Sequence, residues 1–228
     1  MMYSLISVIY MKMVSGIDEA GRGSILGPLV IAGASFEEKD LCRLHGMEVK
    51  DSKLLSKQKR SIIFEKITRL AASYMIIKID CSEIDEHVFL KKLNDLESKY
   101  MAKIIDNIKS DSVCIDSCDP NAFRFGNKVL SQTQRNNVNI SSMHKADRIN
   151  IAVSAASILA KVVRDREIEL LKKQYPNIGS GYPADKKTIA FLNYWLENNE
   201  KTPFFLRRSW KTLKTTLIKE QSLPTYFQ

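Results

Sequence analysis

Short runs of strand-forming residues alternate with longer helical patterns over the first 143 residues, and this alternation limits the possible folds more than any other feature. Two such runs, at 13–18 and 28–36, are joined by the glycine-rich segment AGRGSILG. Later runs predict three more strands, at 74–80, 112–116 and 137–143. Strands that alternate with helices indicate an α/β fold, here with a mixed five-stranded sheet flanked by helices.

Helical patterns fill the segments between the strands and dominate the second half of the chain. Residues 56–72 carry apolar side chains at positions 62, 63, 67 and 70, on one helical face, with Ser56 as a candidate N-cap. The segment 150–174 begins with small residues that would let a helix pack closely on a sheet. The other predicted helices span 91–109, 121–134, 184–198 and 206–219. We therefore expect a helical C-terminal region that packs on the sheet domain.

The charge balance indicates a polyanionic partner. The net charge is +9 and the isoelectric point is about 9.3. Nucleic acid is the first candidate and an acidic membrane surface the second, the alternative being that excess lysine only keeps the protein soluble. The hydrophobic share of 44% excludes a wholly disordered chain. No apolar run approaches the roughly 18 residues of a membrane span, so we expect no membrane partner.

The cysteines and the N-terminus indicate an intracellular protein. The four cysteines, Cys42, Cys81, Cys114 and Cys118, are too few and too scattered for a disulfide framework, and we expect reduced thiols. No second Cys or His pair at zinc-finger spacing accompanies the last two. The first residues include no cationic leader and no clear cleavage site, so we expect a cytoplasmic protein without a signal peptide.

Acidic residues stand where predicted strands end and where a helix begins. Asp18 and Glu19 end an apolar strand just before the glycines of AGRG, and both can serve one site only if the chain turns there. Asp116 ends another strand, and Asp147 precedes the helix at 150–174, where its alternative role is an N-cap. Alone, an acidic pair before a turn is more often solvated than functional. Together, these carboxylates are oxygen ligands of the kind that Mg²⁺ or Mn²⁺ prefers, and two such ions can hydrolyse a phosphodiester.

Five motifs follow one another along the chain. They are GIDEAGRG at 16–23, DSK at 51–53, KAD at 145–147, AASILAKVVRD at 155–165 and GSGYP at 179–183. In this order they resemble ribonuclease HII, over a stretch from about residue 13 to residue 210, and DSCDP at 116–120 with RRSW at 207–210 is more similar to the archaeal branch. The resemblance implies a ribonuclease H-like fold. It divides the chain into a possible extension at 1–12, a catalytic domain at 13–200 and a helical C-terminal region with a tail at 201–228.

The resemblance implies a metal-dependent endonuclease that hydrolyses the RNA strand of RNA–DNA hybrids. It also implies incision on the 5′ side of single ribonucleotides in duplex DNA, leaving a 3′-hydroxyl and a 5′-phosphate. A two-metal mechanism with Mg²⁺ or Mn²⁺ and a monomeric enzyme are part of the same expectation. By position, the residues that match the metal-binding and catalytic acids of the family are Asp18, Glu19, Asp116 and Asp147.

The resemblance also assigns substrate-binding residues. Gly21, Arg22 and Gly23 match the loop that reads the ribose 2′-hydroxyl, the group that distinguishes RNA from DNA. Tyr182 matches the tyrosine that packs on the following sugar, with a half-buried turn aromatic as the alternative. The matches to polar positions near the phosphates are Lys53, Ser157 and Lys161. A serine and a lysine four residues apart share one helix face, although that face could also be a solvated edge.

A few departures and two alternatives qualify the resemblance. Ser24 stands where the family usually has proline, which predicts a looser loop after Gly23. Ribonuclease HIII is a competitor within the fold, but it normally has an extra N-terminal domain and a lysine at the position of Arg22. A non-catalytic hybrid-binding or clamp-docking module is the alternative of a different class, and the loss of a metal carboxylate would have favoured it.

The tail predicts a second partner. Residues 219–228, KEQSLPTYFQ, resemble the clamp-binding peptide of archaeal and eukaryotic replication proteins. Leu223, Tyr226 and Phe227 are spaced as i, i+3 and i+4, so that one helical turn would bring them to one face. Glu220 occupies the place of the peptide's glutamine. A sliding clamp is therefore a predicted partner, the alternative being a tail that folds back onto its own core.

Overall fold

The computed structural model describes residues 12–47, 49 and 55–210, and its centre is a mixed five-stranded sheet. The strands are β1 Met13–Ala20, β2 Leu29–Glu37, β3 Ser73–Ile79, β4 Ser112–Asp116 and β5 Asn139–Met143. They lie in the order β3-β2-β1-β4-β5. Strand β2 is antiparallel to both β3 and β1, and β4 is parallel to both β1 and β5. This sheet confirms the architecture predicted from the sequence.

Helices cover both faces of the sheet. The helices are α1 Leu41–His45, α2 Lys57–Leu70, α3 Cys81–Phe89, α4 Leu93–Asn107, α5 Ala122–Gln132, α6 Ala146–Ile149, α7 Ile151–Gln174 and α8 Lys186–Asn198, with a 3₁₀ turn at Glu38–Asp40. Ser56 caps α2 as predicted, because its side chain accepts a hydrogen bond from the Lys59 N–H. No helix within these described residues has the length and apolarity that a membrane crossing requires.

Alternate residues of the central strands pack into two separate cores. On one face, Ala32 of β2 belongs to the core shared with α2 and α7, and on the other Ile31 belongs to the core shared with α3, α4 and α5. Helix α7 lies very close to the sheet, since a Cβ at Gly16 would fall 2.1 Å from the backbone carbon of Ala152. The small residues at the start of α7 therefore have the role that the sequence predicted for them.

Two helix predictions need correction. The helix expected over 91–109 begins at Leu93, and a separate helix, α3, precedes it because Asp80 caps a new start by accepting from the Glu83 N–H. The helix expected over 206–219 does not include residues 206–210, which are not helical, and residues 211–219 lie outside the described part. The reason is a competing set of partners: Leu206 forms a bridge with Leu26, and the Arg207 N–H donates to the Ile25 carbonyl.

The C-terminal part of the described chain packs beside the end of β1. A third core joins residues 25 and 26, which follow the AGRG loop, to residues of α8 and of the segment after it. The rings of Tyr175, Phe191, Trp195 and Phe205 form an aromatic group within this region. The GSGYP segment, just before α8, lies against the loop that follows β1, because the Gly181 carbonyl accepts from the N–H groups of Ile25 and Leu26.

Candidate active site

Three carboxylates meet at one edge of the sheet. Strands β1 and β4 are parallel neighbours, with Ile17 opposite Ile115, so Asp18 lies beside Asp116, the last residue of β4. The one-turn helix α6 brings Asp147 to the same place, and ligand oxygens of the three side chains lie within 4.8 Å of one another. Asp18 and Asp147 are buried and Asp116 is half-buried. The structure thus brings together three of the four predicted acids.

Backbone hydrogen bonds fix this arrangement. Oδ1 of Asp116 accepts from the Ala146 N–H at 3.0 Å, which ties the start of α6 to the end of β4. Lys145, just before, has a left-handed φ of 56°, which turns the chain from β5 into α6. The N-cap of α7 is Asn150, whose side chain accepts from two backbone N–H groups. Asp147 therefore does not cap the long helix, which was its alternative role.

Glu19 lies on the other face of β1. Successive strand residues point to opposite faces, so Glu19 follows Ile17 toward α4, while Asp18 points toward α7. The strand continues through Ala20, and the chain turns only at Gly21. Glu19 is outside the three-aspartate cluster, although its charge interacts with those of Asp18 and Asp116. Its Oε2 atom is buried and has no hydrogen-bond partner among the described residues.

Burial gives these acids unusual proton affinities. Burial, followed by the nearby Asp116 charge, raises the pKa of Asp18 to about 7, against the lowering effect of a hydrogen bond from Ser157. Burial also raises the pKa of Glu19 well above its usual range, and the charge of Asp18 adds to this. Carboxylates that are buried and close together bind either protons or cations.

The AGRG loop combines one strained and one open glycine. Gly21 has a φ of 86°, and a Cβ there would lie 2.8 Å from the Pro28 carbonyl oxygen, so the turn requires glycine. A Cβ at Gly23 would meet nothing within 4 Å, and this residue is exposed. The loop that follows Asp18 and Glu19 in the chain therefore offers open backbone at Gly23.

The Arg22 side chain holds the loop from within. It forms an ion pair with Glu97 of α4, and its Nη2 donates to Asn94 Oδ1 at 2.8 Å. Arg207 donates to the Arg22 carbonyl at 3.0 Å. The sequence reasoning missed Glu97 and Arg207. The sequence contained a signal for Glu97, because this acid stands next to Leu96 on the apolar face of α4. The structure buries it fully.

Tyr182 lies in a loop that touches the AGRG loop. The residue is 37% exposed, and the guanidinium carbon of Arg164 lies 4.4 Å from the centroid of its ring. The Gly181 carbonyl accepts from the Ile25 N–H at 2.8 Å. Ser24 does not loosen the loop as the sequence suggested, since it is fully buried and its hydroxyl is hydrogen-bonded. The sequence reasoning missed Arg164. Its spacing was a signal, because it lies four residues from both Ala160 and Ile168 on the buried face of α7.

Ser157 and Lys161 share one face of α7, as predicted. The Lys161 ammonium donates to the Ser157 hydroxyl at 2.7 Å, and Ser157 in turn is hydrogen-bonded to Asp18. The positive charge of Lys161 also favours the ionised form of Asp18. Both residues therefore adjoin the acidic cluster. Lys53, the other predicted phosphate contact, lies outside the described residues.

The raised pKa of Asp18 predicts a pH-dependent stability for the metal-free protein. In the unfolded chain this carboxyl has its ordinary pKa of 3.8, so the folded state binds the proton more tightly. This stabilising contribution is fully present below pH 3.8 and is lost as the pH rises to about 7. Between pH 5.5 and 8 we expect a loss on the order of 2 kcal/mol, at about 1.4 kcal/mol per pH unit.

Thermal unfolding in a chelator at the two pH values measures this loss. Added Mg²⁺ at pH 8 is expected to restore the stability, because a cation replaces the proton. Asp18→Asn is the matched control and is expected to reduce the pH dependence. Equal stability of the wild-type protein at pH 5.5 and pH 8 in chelator would contradict the prediction.

The fold and the three converging aspartates define a class of protein, a metal-dependent nuclease with a ribonuclease H-like fold. Residues 15–213 match the family model of ribonuclease HII. The ribonuclease HII of Cenarchaeum symbiosum is 43% identical over 199 residues, which are 87% of this chain and 95% of that protein.

Solved structures agree. The ribonuclease H2 of Pyrococcus horikoshii is 37% identical, with a TM-score of 0.85 over 91% of this chain and 98% of that one. The ribonuclease HII of Archaeoglobus fulgidus, solved in complex with PCNA, is 35% identical, with a TM-score of 0.81 over 89% of this chain and 96% of that one. The chain belongs to the ribonuclease HII family, and it is a metal-dependent nuclease with ribonuclease H activity on RNA–DNA hybrids.

Proposed function

We propose that the protein, as a monomer, incises duplex DNA on the 5′ side of single ribonucleotides, in addition to cleaving the RNA strand of hybrids. The observation that carries the proposal is a chain of neighbours: the AGRG loop directly follows the strand of Asp18, and the segment after this loop is hydrogen-bonded to Gly181 in the loop of Tyr182. One loop that reads a single 2′-hydroxyl and a second loop that packs on the next sugar would together suffice to recognise a lone ribonucleotide. The proposed products are a 3′-hydroxyl and a 5′-phosphate.

The donor set fits two Mg²⁺ or Mn²⁺ ions. Asp18, Asp116 and Asp147 offer three oxygens within 4.8 Å of one another, which suits a hard divalent cation. Glu19 points to the other face of β1, but its charge interacts with those of Asp18 and Asp116, and its buried oxygen without a hydrogen-bond partner among the described residues suits a second ion beside the cluster. When bound, two such ions activate water and stabilise the leaving oxygen of a phosphodiester. Ser157 orients the Asp18 carboxylate toward this role through its hydrogen bond.

The loops supply the selection of ribose. Around Gly21 and Gly23 the backbone can approach the 2′-hydroxyl closely, because the exposed side of Gly23 is open. Arg22 contributes by holding this loop on Glu97, and Tyr182 offers the exposed part of its ring to the next sugar. The excess of positive charge attracts the phosphate backbone without regard to sequence. We propose that Lys161 and Lys53 add to that attraction.

Three duplexes of one sequence test the proposal: an all-DNA duplex, the same duplex with a single ribonucleotide, and a continuous RNA–DNA hybrid. In Mg²⁺, we expect cleavage of the second and third and none of the first. Absence of cleavage at the single ribonucleotide, alongside cleavage of the hybrid, would refute the proposed substrate and leave the family activity intact.

We also propose that residues 219–228 bind a sliding clamp. The clamp-binding residues predicted from the sequence, Leu223, Tyr226 and Phe227, lie outside the described residues. The support is their spacing, together with the PCNA complex solved for the similar Archaeoglobus fulgidus protein. Affinity for the clamp of the same organism, measured with the full chain and with a chain that ends at residue 218, tests the proposal. We expect binding only with the full chain, and equal affinities would refute the role of the tail.

A further inference from the structure

A buried serine joins the two loops that the proposed function assigns to sugar recognition. Ser24 follows Gly23 directly and is fully buried. Its hydroxyl oxygen lies 2.6 Å from the carbonyl oxygen of Leu26 and 2.7 Å from that of Gly181, and it donates its one hydrogen to either. The same oxygen accepts from Arg164 Nη2 at 3.0 Å. Ser24 therefore connects its own loop, the Tyr182 loop and helix α7 at one point.

Arg164 extends this junction to the Tyr182 ring. Besides its bond to Ser24, its guanidinium donates to the Ser180 carbonyl and lies over the face of the ring. The guanidinium is almost fully buried, so these contacts are shielded from water. A shift of Ser24 would thus be transmitted both to the backbone before Tyr182 and to the cation beneath its ring.

The junction has no spare room. A Cβ at Gly181 would lie 2.9 Å from Arg164 Nη2, 3.0 Å from the Leu26 carbonyl oxygen and 3.1 Å from Ser24 Oγ. Gly181 also has a φ of 84°, which favours glycine. Packing this close fixes the separation of the two loops, because neither can move toward the other and the hydrogen bonds keep them from moving apart.

We propose that Ser24 is a positioning residue that sets the separation between the 2′-hydroxyl-reading loop at 21–23 and Tyr182. This separation would let the loop contact the ribonucleotide while Tyr182 contacts the sugar that follows it. The inference rests on the proposed function. Adjacent sugars of a duplex are a fixed distance apart, so two loops that read them need a fixed separation. Small misplacements of groups that orient a substrate are costly in rate.

A double-mutant cycle tests the proposal on the single-ribonucleotide duplex. Ser24→Ala is expected to lower kcat about tenfold, with KM changed less than about twofold, because the phosphate contacts that supply affinity remain. In a Tyr182→Ala background the same change is expected to cost about twofold or less, because the ring that Ser24 positions is already gone. This dependence on Tyr182 separates positioning from a general structural effect.

Two further variants complete the test. Ser35→Ala removes another fully buried hydroxyl, bonded to the Lys109 carbonyl toward the other end of β2, and is expected to leave kcat unchanged. Ser24→Cys keeps the shape and weakens the hydrogen bonds, and it replaces Ser24→Ala if that variant does not fold. Equal losses with and without the Tyr182 ring would overturn the inference, as would an equal loss in Ser35→Ala. If the wild-type protein cuts only the continuous hybrid, the proposed substrate fails, and the same cycle on the hybrid decides the role of Ser24.

Discussion

Asp116→Asn is expected to reduce cleavage in Mg²⁺ by at least about a thousandfold while the fold and the affinity for duplex persist. The asparagine Oδ1 can still accept the hydrogen bond from Ala146, so the start of α6 stays in place. The change removes a negative charge from the cluster with Asp18 and Asp147, and the remaining pair binds a cation less well. Duplex affinity persists because it comes from basic contacts to phosphate.

Cleavage rates, duplex binding and thermal unfolding of the variant are compared with those of Asp111→Asn. Asp111 precedes β4 at the opposite edge of the sheet, where it accepts a hydrogen bond from the Met13 N–H, and its variant is expected to cleave at the wild-type rate. Cleavage by Asp116→Asn at the wild-type rate would contradict the assignment of this carboxylate to the active site.

Gly23→Val is expected to slow cleavage of the single-ribonucleotide duplex about a hundredfold while changing its affinity less than about threefold. In the protein itself the new side chain would project into open space, so stability should not change. A lower cleavage rate would therefore show that the substrate approaches this loop closely. Gly21→Val cannot make that distinction, because the positive φ and the Pro28 carbonyl make it unstable as well.

The control for Gly23→Val is Gly46→Val, at the C-terminal end of α1. Gly46 is also exposed, has an ordinary φ of −68°, and lies outside the proposed site. It is expected to leave cleavage unchanged. Equal losses of rate and of duplex affinity in Gly23→Val would mean that the loop has only a structural role.

The sheet and three of its acids were predictable because they depend on local patterns. Strand-forming runs ended at Asp18 and Asp116, and the parallel pairing of β1 with β4 brings strand ends to one edge. The close approach of α7 followed from its alanines. Glu19 was predicted to join them on the condition that the chain turns directly after Asp18 and Glu19, because the place of the turn decides whether two adjacent carboxylates share a face. The structure turns at Gly21, after Glu19 has already pointed toward α4.

The long-range contacts that hold the AGRG loop in place were not predictable from the sequence. Arg22 meets Glu97, and Arg207 reaches the Arg22 carbonyl, across 75 and 185 positions of the chain. Contacts at such separations leave no periodicity, and they appear only when distant segments pack. The same reason explains the error at 206–210: the segment has helical character by itself, but pairing with residues 25–26 forms instead. Ser24 was misjudged because the partner of its hydroxyl lies in the Tyr182 loop.

The most direct test of the account is the chemistry of the ends produced at a single ribonucleotide in Mg²⁺. In the proposed reaction, water directed by the carboxylate cluster would break the bond on the 5′ side of the ribonucleotide. This route would leave a 3′-hydroxyl on the upstream deoxynucleotide and a 5′-phosphate on the ribonucleotide. Attack by the ribose 2′-hydroxyl would instead cut on the 3′ side and leave a 2′,3′-cyclic phosphate and a 5′-hydroxyl. Mass analysis of both fragments distinguishes the two, and we predict the first set of ends. The second set would contradict the proposed roles of the acids and the loops together.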